Sequence, residues 1–340
     1  MLSERYSRQV LFNGIGSAGQ DKIRATAVVV IGSGALGTCS AEMLVRAGIG
    51  RLTLVDRDFV ELSNLHRQSL FTEEDARQGL PKAVAAERAL SRLNSDVVIR
   101  SFVKDVTSET IAELCADSSI IVDGTDNFET RYLINDFSVA QGIPWVYGAC
   151  LGSFGTGCAF VPGKTGCFRC ICEETPTGGA LETCDTVGVI PPIVHTVAAF
   201  QVAQVLKLIT SPERLEFRLL QADVWDDNWR TVSLQGMKNP DCPCCVKKQL
   251  VFLEGARESR LTRLCGRNAV QVSPGAPVQI DFREMSKRLS RAGKVDFNDY
   301  MMKIRIADFE IALFPDGRSI IRGTEDLATA RTVYSRYIGM

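Results

Sequence analysis

Histidine is nearly absent: the chain of 340 residues holds 2. With only His66 and His195 available, a His-rich zinc hydrolase is excluded, and any His-based triad has just two candidates. Charge of one sign is also missing. Lys plus Arg total 39 against 40 for Asp plus Glu, a formal net charge of -1. No basic surplus is there to hold a nucleic-acid polyanion, and no acidic run reads as a disordered arm. A long unbroken apolar run is lacking too. The stretch from Val189 to Ile209 is interrupted by His195, Gln201, Gln204 and Lys207, so it reads as a buried or half-buried helix rather than a membrane span. The opening Met1-Leu2-Ser3-Glu4-Arg5-Tyr6 shows no apolar core of a signal peptide, and a cytoplasmic location is expected. No internal repeat or low-complexity tract appears. What the chain does have is cysteine, 12 in all. In a reducing compartment such residues are expected to be reduced, metal-bound or catalytic rather than disulfide-paired.

The length allows two to three domains at about 100–200 residues each. The first half alternates β-branched runs with helical patterns. Strands are expected at Thr26–Ile31, Arg51–Val55, Val97–Val103, Ser119–Val122 and Pro144–Tyr147. Helices are expected up to Ala47 and near Pro81–Leu93, Ser108–Cys115 and Glu129–Gln141. This alternation predicts an α/β fold, a Rossmann-like and mostly parallel sheet with helices on both faces. Beyond Gly148 the texture changes. Gly152, Gly155 and Gly157 sit among apolar residues, implying strands that bend or pack closely. Glu173–Thr183 reads as a mobile loop, and Pro191-Pro192 opens a helix to Ile209. Strands at Phe217–Ala222 and Arg230–Leu234 continue the sheet into an antiparallel part. The remainder predicts a small α+β domain: a helix near Arg283–Arg291, strands Met301–Ile306 and Glu310–Phe314, a Pro315-Asp316-Gly317 hairpin turn, and a last helix from Glu325. The expected domains are 1–250 and 251–340.

Gly32-Ser33-Gly34-Ala35-Leu36-Gly37 follows the first strand and opens a helix. Gly32, Gly34 and Gly37 there permit a tight turn and let backbone N–H groups approach a phosphate. Such a loop also serves plain helix–sheet packing, but Asp56 ends the next strand, where a carboxylate can accept ribose hydroxyls. The residues that follow do not suit hydride transfer. Asn64, Arg67 and Gln68 fall in one short segment and Lys82 comes soon after. That set of cations and amides suits a triphosphate. The fourth strand ends in Asp123-Gly124-Thr125-Asp126-Asn127. Asp126 is placed to hold Mg²⁺, which takes one or two carboxylates plus phosphate oxygens. Asp123 or Asp126 as a plain helix N-cap is the competing reading.

Arg5-Tyr6-Ser7-Arg8-Gln9, the glycine loop, Asp56-Arg57-Asp58, Ser63 to Gln68, Pro81-Lys82 and Thr125-Asp126-Asn127 together resemble the MoeB/ThiF family, bacterial relatives of ubiquitin-activating enzymes. The resemblance runs from residue 1 to about 246. It implies a sulfur-carrier adenylyltransferase that activates the C-terminal glycine of a small ubiquitin-like carrier with ATP and Mg²⁺, releasing pyrophosphate. Carried over by position, it implies ribose binding by Asp56 and phosphate binding by Asn64, Arg67, Gln68 and Lys82. It also implies Mg²⁺ on Asp126, and a homodimer in which Arg8 reaches the neighbouring subunit's site. His66 departs from the Gln common in the family. No protein nucleophile is needed: Arg8, Arg67, Lys82 and the metal would stabilise charge developing on the phosphates.

The cysteines sort into groups. Cys167, Cys170, Cys242 and Cys245 form two C-x-x-C pairs suited to a tetrahedral Zn²⁺ that clips distant segments. A redox pair is the rival, and Cys172 and Cys244 are extra thiols that leave ligand substitution open. The resemblance supports structural zinc. Cys184 matches a position where family members carry a cysteine able to link covalently to the carrier, though its own surroundings do not obviously lower its pKa. Cys39, Cys115, Cys150 and Cys158 read as core, and so does His195. The C-terminal segment around Leu264-Cys265-Gly266 resembles the extension of thiamin-pathway ThiF proteins and shows no rhodanese loop. That favours a ThiS-like carrier, with a cysteine desulfurase as sulfur source. Adenylation of a MoaD-like carrier in molybdopterin synthesis is the alternative, and an NAD-dependent oxidoreductase or a non-catalytic adaptor is more distant.

Overall fold

The computed structural model describes residues 4–172, 187–255, 261–264, 268–274, 279–290 and 292–338. These group into two compact units, the first within Met1–Arg257 and the second within Glu258–Met340. The strands of the first unit are β1 (Ala27–Ile31), β2 (Arg51–Val55), β3 (Val98–Phe102), β4 (Ile120–Asp123), β5 (Trp145–Leu151), β6 (Phe154–Phe160), β7 (Arg218–Asp223) and β8 (Asn228–Ser233). Its helices are α1 (Ser7–Val10), α2 (Gly16–Ala25), α3 (Ala35–Ala47), α4 (Glu73–Gln78), α5 (Lys82–Leu93), α6 (Ile111–Cys115), α7 (Phe128–Gln141), α8 (Phe168–Ile171) and α9 (Pro191–Thr210).

One sheet holds all eight strands in the order β3-β2-β1-β4-β5-β6-β7-β8. It is parallel from β3 to β5 and antiparallel from β5 to β8. The parallel centre is covered on both faces, which is why β1 reads Ala-Val-Val-Val-Ile without alternation and is buried along its length. At the far edge, β8 is exposed throughout. Strand order reverses between β1 and β4, and that switch point opens a crevice at the strands' carboxyl ends.

The core beneath the antiparallel half is aromatic. Trp145 stacks on Phe160 with ring centroids 4.9 Å apart, and Tyr132 stacks on Phe252 at 4.8 Å. The glycines expected to pack closely do so. A Cβ on Gly155 would lie 2.5 Å from Val197 Cγ2, and one on Gly157 2.8 Å from Phe200 Cδ1. Their missing side chains let α9 lie directly on β6. This helix is long and apolar enough to cross a membrane by length and composition. Its buried side chains instead pack against α3, β5 and β6. Gln201, fully buried, donates to the carbonyls of Asp123 and Val146 and accepts from Ser40 Oγ. A polar residue in the apolar run thus ties the helix to the sheet.

The second unit is an antiparallel sheet of β9 (Leu261–Leu264), β10 (Ala269–Val272), β11 (Lys294–Phe297), β12 (Met302–Ile306), β13 (Phe309–Leu313) and β14 (Ser319–Arg322), with α10 (Phe282–Leu289) and α11 (Leu327–Tyr337). The order is β11-β12-β13-β14-β10-β9. The expected Asp-Gly turn closes the β13–β14 hairpin, with Gly317 at φ 83°. Asp281 and Asp326 cap the two helices through backbone N–H groups of Arg283, Glu284 and Thr329.

Several elements escaped the sequence reading. Strands β9, β10, β11 and β14 have four residues each, too few to establish a period. Helix α2 and the short α4 were also unanticipated. The capping box of α4, in which Thr72 and Asp75 bond each other's backbone N–H, is nonetheless a legible signal.

Gly155→Val tests the helix–sheet contact. The added side chain must displace Val197 and Ile193, so urea unfolding should show a loss of about 1–3 kcal/mol.

Candidate functional site

The crevice is built from backbone first. Gly32 follows β1 at φ 89°, a left-handed value that favours glycine. A Cβ on Gly37 would sit 1.8 Å from the Gly32 carbonyl oxygen, and one on Gly124 2.4 Å from the same atom. The turn into α3 therefore lies against the turn after β4. Gly34, the middle glycine, faces Gln68, whose Nε2 is 3.9 Å from where its Cβ would be. Backbone amides at the start of α3 are thereby left open to a ligand.

Asp56 braces this loop. One carboxylate oxygen accepts the Ser33 N–H at 2.6 Å and the other accepts the Asp58 N–H at 2.7 Å. Burial pushes the Asp56 carboxyl above its ordinary value, opposed by the positive charge of Lys82 and reinforced by Asp58. Lys82 opens α5 behind Pro81, with its Nζ 3.2 Å from Asp58 Oδ2 and its side chain 5% exposed. Arg57 turns away and grips Asp105 with both carboxylate oxygens within hydrogen-bond reach. Burial works against its charge, but Asp105 and Asp58 outweigh that and hold its pKa above the ordinary value.

Asn64 and Gln68 are joined through backbone bonds, the Gln68 N–H donating to the Asn64 carbonyl at 3.0 Å. Both are buried, and Asn64 Oδ1, Gln68 Oε1 and Ser33 Oγ are buried without a hydrogen-bond partner. Buried oxygens left so are costly, and a polar ligand such as a nucleotide would relieve them. Arg67 is half-buried, donating to the Ser63 carbonyl at 3.0 Å, with the exposed His66 at 3.5 Å.

On the β4 side, Asn127 caps α7 by accepting the Glu129 N–H, so neither Asp123 nor Asp126 serves as the cap. Asp126 is exposed, and its charge acts on Arg57 and Arg131. Asp123 is fully buried in an ion pair with Arg131, at 3.1 Å, and accepts from Thr125. Arg131 donates further to the carbonyls of Thr125 and Gly148. Burial opposes its charge, yet Asp123 prevails and keeps its pKa high. Gly124, Asp58 and Arg131 were not singled out from sequence. A glycine directly behind an apolar strand was the available signal for the first.

Arg8 stands apart, exposed on α1 and, among the described residues, without a hydrogen bond to the crevice groups. Its neighbours fix that helix. Tyr6 is buried against Gly48 and accepts from Asn94 Nδ2 at 2.8 Å, while Gln9 donates to the Ala47 carbonyl. Cys184 and Cys265 lie outside the described residues. His195, expected in the core, is instead exposed on α9, with its Nε2 3.9 Å from Cys39 Sγ. The polar face of the helix, not its apolar composition, sets its position. Cys39, Cys115 and Cys158 are buried as expected, whereas Cys150 is half-buried.

The two cysteine pairs converge. Sγ atoms of Cys167, Cys170, Cys242 and Cys245 all lie within 4.8 Å of one another. Neighbouring sulfurs are 3.9 Å (Cys167–Cys170), 3.7 Å (Cys167–Cys242) and 3.6 Å (Cys170–Cys245) apart. Zn–S bonds of about 2.3 Å in a tetrahedron require sulfur separations of roughly 3.8 Å, so the set fits zinc. Cys244 instead donates to Asp136, and Cys172 accepts from Tyr132 Oη.

Comparison with known proteins agrees with this geometry. The ThiF family model matches residues 6–244. The chain is 47% identical over 339 residues to the sulfur carrier protein ThiS adenylyltransferase of Bacillus subtilis, spanning 99% of this chain and 100% of that one. It is 38% identical over 263 residues to the sulfur carrier protein adenylyltransferase of Thermus thermophilus, spanning 74% of this chain and 95% of that one. Among solved structures, Escherichia coli MccB with succinimide superposes with a TM-score of 0.62 at 25% identity, covering 71% of this chain and 74% of that one.

The raised pKa of Asp56 has a sign that can be measured. The folded chain holds the proton to higher pH than the unfolded chain does, so stability falls as pH rises from about 3.9 through the shifted value. Relative to wild type, Asp56→Asn should remove that slope in urea unfolding followed across the window.

Proposed function

The chain belongs to the ThiF family, and on that premise we propose how it works. It adenylates the C-terminal glycine carboxylate of a ubiquitin-like sulfur carrier of the ThiS type, consuming ATP and releasing pyrophosphate. The observation that carries this reading is the match to a ThiS adenylyltransferase along essentially the whole chain, the C-terminal unit included. That extent favours a ThiS-like carrier over a MoaD-like one.

A carboxylate oxygen of the carrier attacks the α-phosphorus of ATP, forming the acyl–phosphate bond, while the bond to the leaving pyrophosphate breaks. Two anions must meet, so the site's work is electrostatic. Gly32, Gly34 and Gly37 keep the loop low enough for backbone N–H groups to face the phosphates. Asp56 takes the ribose hydroxyls. Asn64 and Gln68, each with a buried oxygen lacking a partner, line the nucleotide's polar edge. Arg67 and Lys82 offset phosphate charge, Lys82 from the start of α5, where the helix dipole adds to its own charge. Arg8 completes the neighbouring subunit's site in a homodimer. Its exposure on a helix pinned by Tyr6 and Gln9 supports that role.

Asp126 is assigned to Mg²⁺. A carboxylate free of capping duty at the crevice suits a metal that takes one or two carboxylates and phosphate oxygens. When bound, the ion supplies charge neutralisation at the phosphates. Zn²⁺ on Cys167, Cys170, Cys242 and Cys245 is structural, and Cys184 is the thiol for a covalent link to the carrier. The enzyme acts in the cytoplasm and takes its sulfur from a cysteine desulfurase.

Asp126→Ala should keep the fold and lower carrier-dependent ATP–pyrophosphate exchange by at least about 10²-fold. Exchange at the wild-type rate would overturn the assignment. Run in parallel with ThiS-like and MoaD-like carriers, the same assay should favour the former.

A further inference from the structure

Helix α7 carries two adjacent polar residues that adenylation leaves unused. Asn135 and Asp136 are both 0% exposed. Asn135 Oδ1 accepts the Phe168 N–H at 2.7 Å, beside the ligand position Cys167, and its Nδ2 donates to Cys244 Sγ at 3.3 Å. Asp136 Oδ1 accepts the Cys244 thiol proton at 3.2 Å, and Oδ2 accepts the Phe252 N–H at 3.0 Å. Phe168 belongs to the segment of the first cysteine pair. Cys244 and Phe252 belong to the segment of the second. One turn of a single helix therefore grips both arms of the sulfur cluster.

The arrangement is costly unless it serves something. A carboxylate taken wholly out of water must have its oxygens satisfied, and here each oxygen has one donor. Cys244 lies outside the four sulfurs that are all within 4.8 Å of one another, while its thiol also interacts with the ligand position Cys167. Its thiol spans the amide and the carboxylate, donating to one and accepting from the other. These bonds tie the segment of the second pair to that of the first through α7. A third link, from Arg169 to the Gln249 carbonyl at 3.1 Å, runs between the same two segments.

We propose that Asn135, Asp136 and Cys244 form a hydrogen-bonded clip that holds the two cysteine pairs in tetrahedral register and slows the loss of zinc. This rests on the zinc reading above. Residues that orient metal ligands from one shell out typically change metal affinity by about 10–100-fold when mutated. Asp136→Asn keeps the volume but sets an amide N–H against either the thiol proton or the Phe252 N–H. Cys244→Ala removes the thiol that the other two share.

The test uses the zinc-loaded full-length protein mixed with excess 4-(2-pyridylazo)resorcinol, with zinc release followed by absorbance. Asp136→Asn and Cys244→Ala should each release zinc about 10–100-fold faster than wild type. The double variant should release it little faster than either single one, because the two act through one contact. Ile134→Val, a trimmed core residue of the same helix, should lower Tm and leave the release rate unchanged. Wild-type release from Asp136→Asn overturns the clip. So do independent, multiplying effects of the two variants, or equal acceleration by Ile134→Val. Wild-type protein purified with no zinc would overturn the zinc reading itself, a result separate from failure of the clip.

Discussion

The whole site depends on one backbone contact. Where β1 turns into α3, the chain lies so close to the turn after β4 that a side chain on Gly32, Gly37 or Gly124 would collide with main-chain atoms of the other glycines. This contact sits at the point where strand order reverses, and it draws groups from distant parts of the sequence into one crevice. The amides of the α3 start come from one side, and the Asp126 turn from the other. Asp56 locks the loop from β2 through the Ser33 N–H, and Lys82 is tied to the same strand end through Asp58. Loosening the contact would therefore misplace donors belonging to several elements at once, and electrostatic catalysis tolerates such errors poorly.

Two kinds of buried polar group surround the contact, and their difference marks the ligand's place. Behind the loops, the charged and amide side chains nearest the contact are satisfied. Arg131 reaches Asp123 and two carbonyls, while Gln201 spans Ser40, Asp123 and Val146. These bonds are strong in a dry interior and make the crevice wall rigid. In front of the loops, Ser33, Asn64 and Gln68 keep buried oxygens with no partner. A wall that satisfies its own groups and a face that does not is the pattern expected of a preorganised site, because the cost of holding the open groups is met by the fold rather than at the moment of reaction.

Legibility from sequence followed the physics of each signal. β1 was read to within a residue because a strand covered on both faces becomes an unbroken apolar run, and β2 because its Leu-Thr-Leu-Val stretch is bounded by Gly50 and Asp56. Gly32, Gly34 and Gly37 were readable because the turn's geometry restricts the residue type. Their partner Gly124 was not, because the collision that requires glycine there involves a segment far away in sequence. Asp123 and Arg131 show the same limit: an ion pair buried beneath the sheet has no spacing that announces it. Cys244 is ambiguous in the sequence because it lies between two thiols already at C-x-x-C spacing. His195 was misjudged because an apolar helix has a solvent side, and composition does not say which residue faces it. The four-residue strands of the second unit fell below the length at which alternation carries information.

The scarcity of histidine and the wealth of cysteine now describe a division of labour along α7. Its N-terminus follows Asp126, and its middle holds Asn135 and Asp136 against the sulfur cluster. The nine residue steps of helix from Asn127 to Asp136 correspond to roughly 14 Å at 1.5 Å per residue. The turn at Asp126 and the four-cysteine cluster that could hold a metal are thus well separated, yet share one element. Charge activation needs groups that stay ionised at neutral pH, which Arg, Lys and Asp supply without a titrating imidazole. Thiolates would add repulsion where an anion must attack a phosphate, and they are instead gathered where a cation can neutralise them.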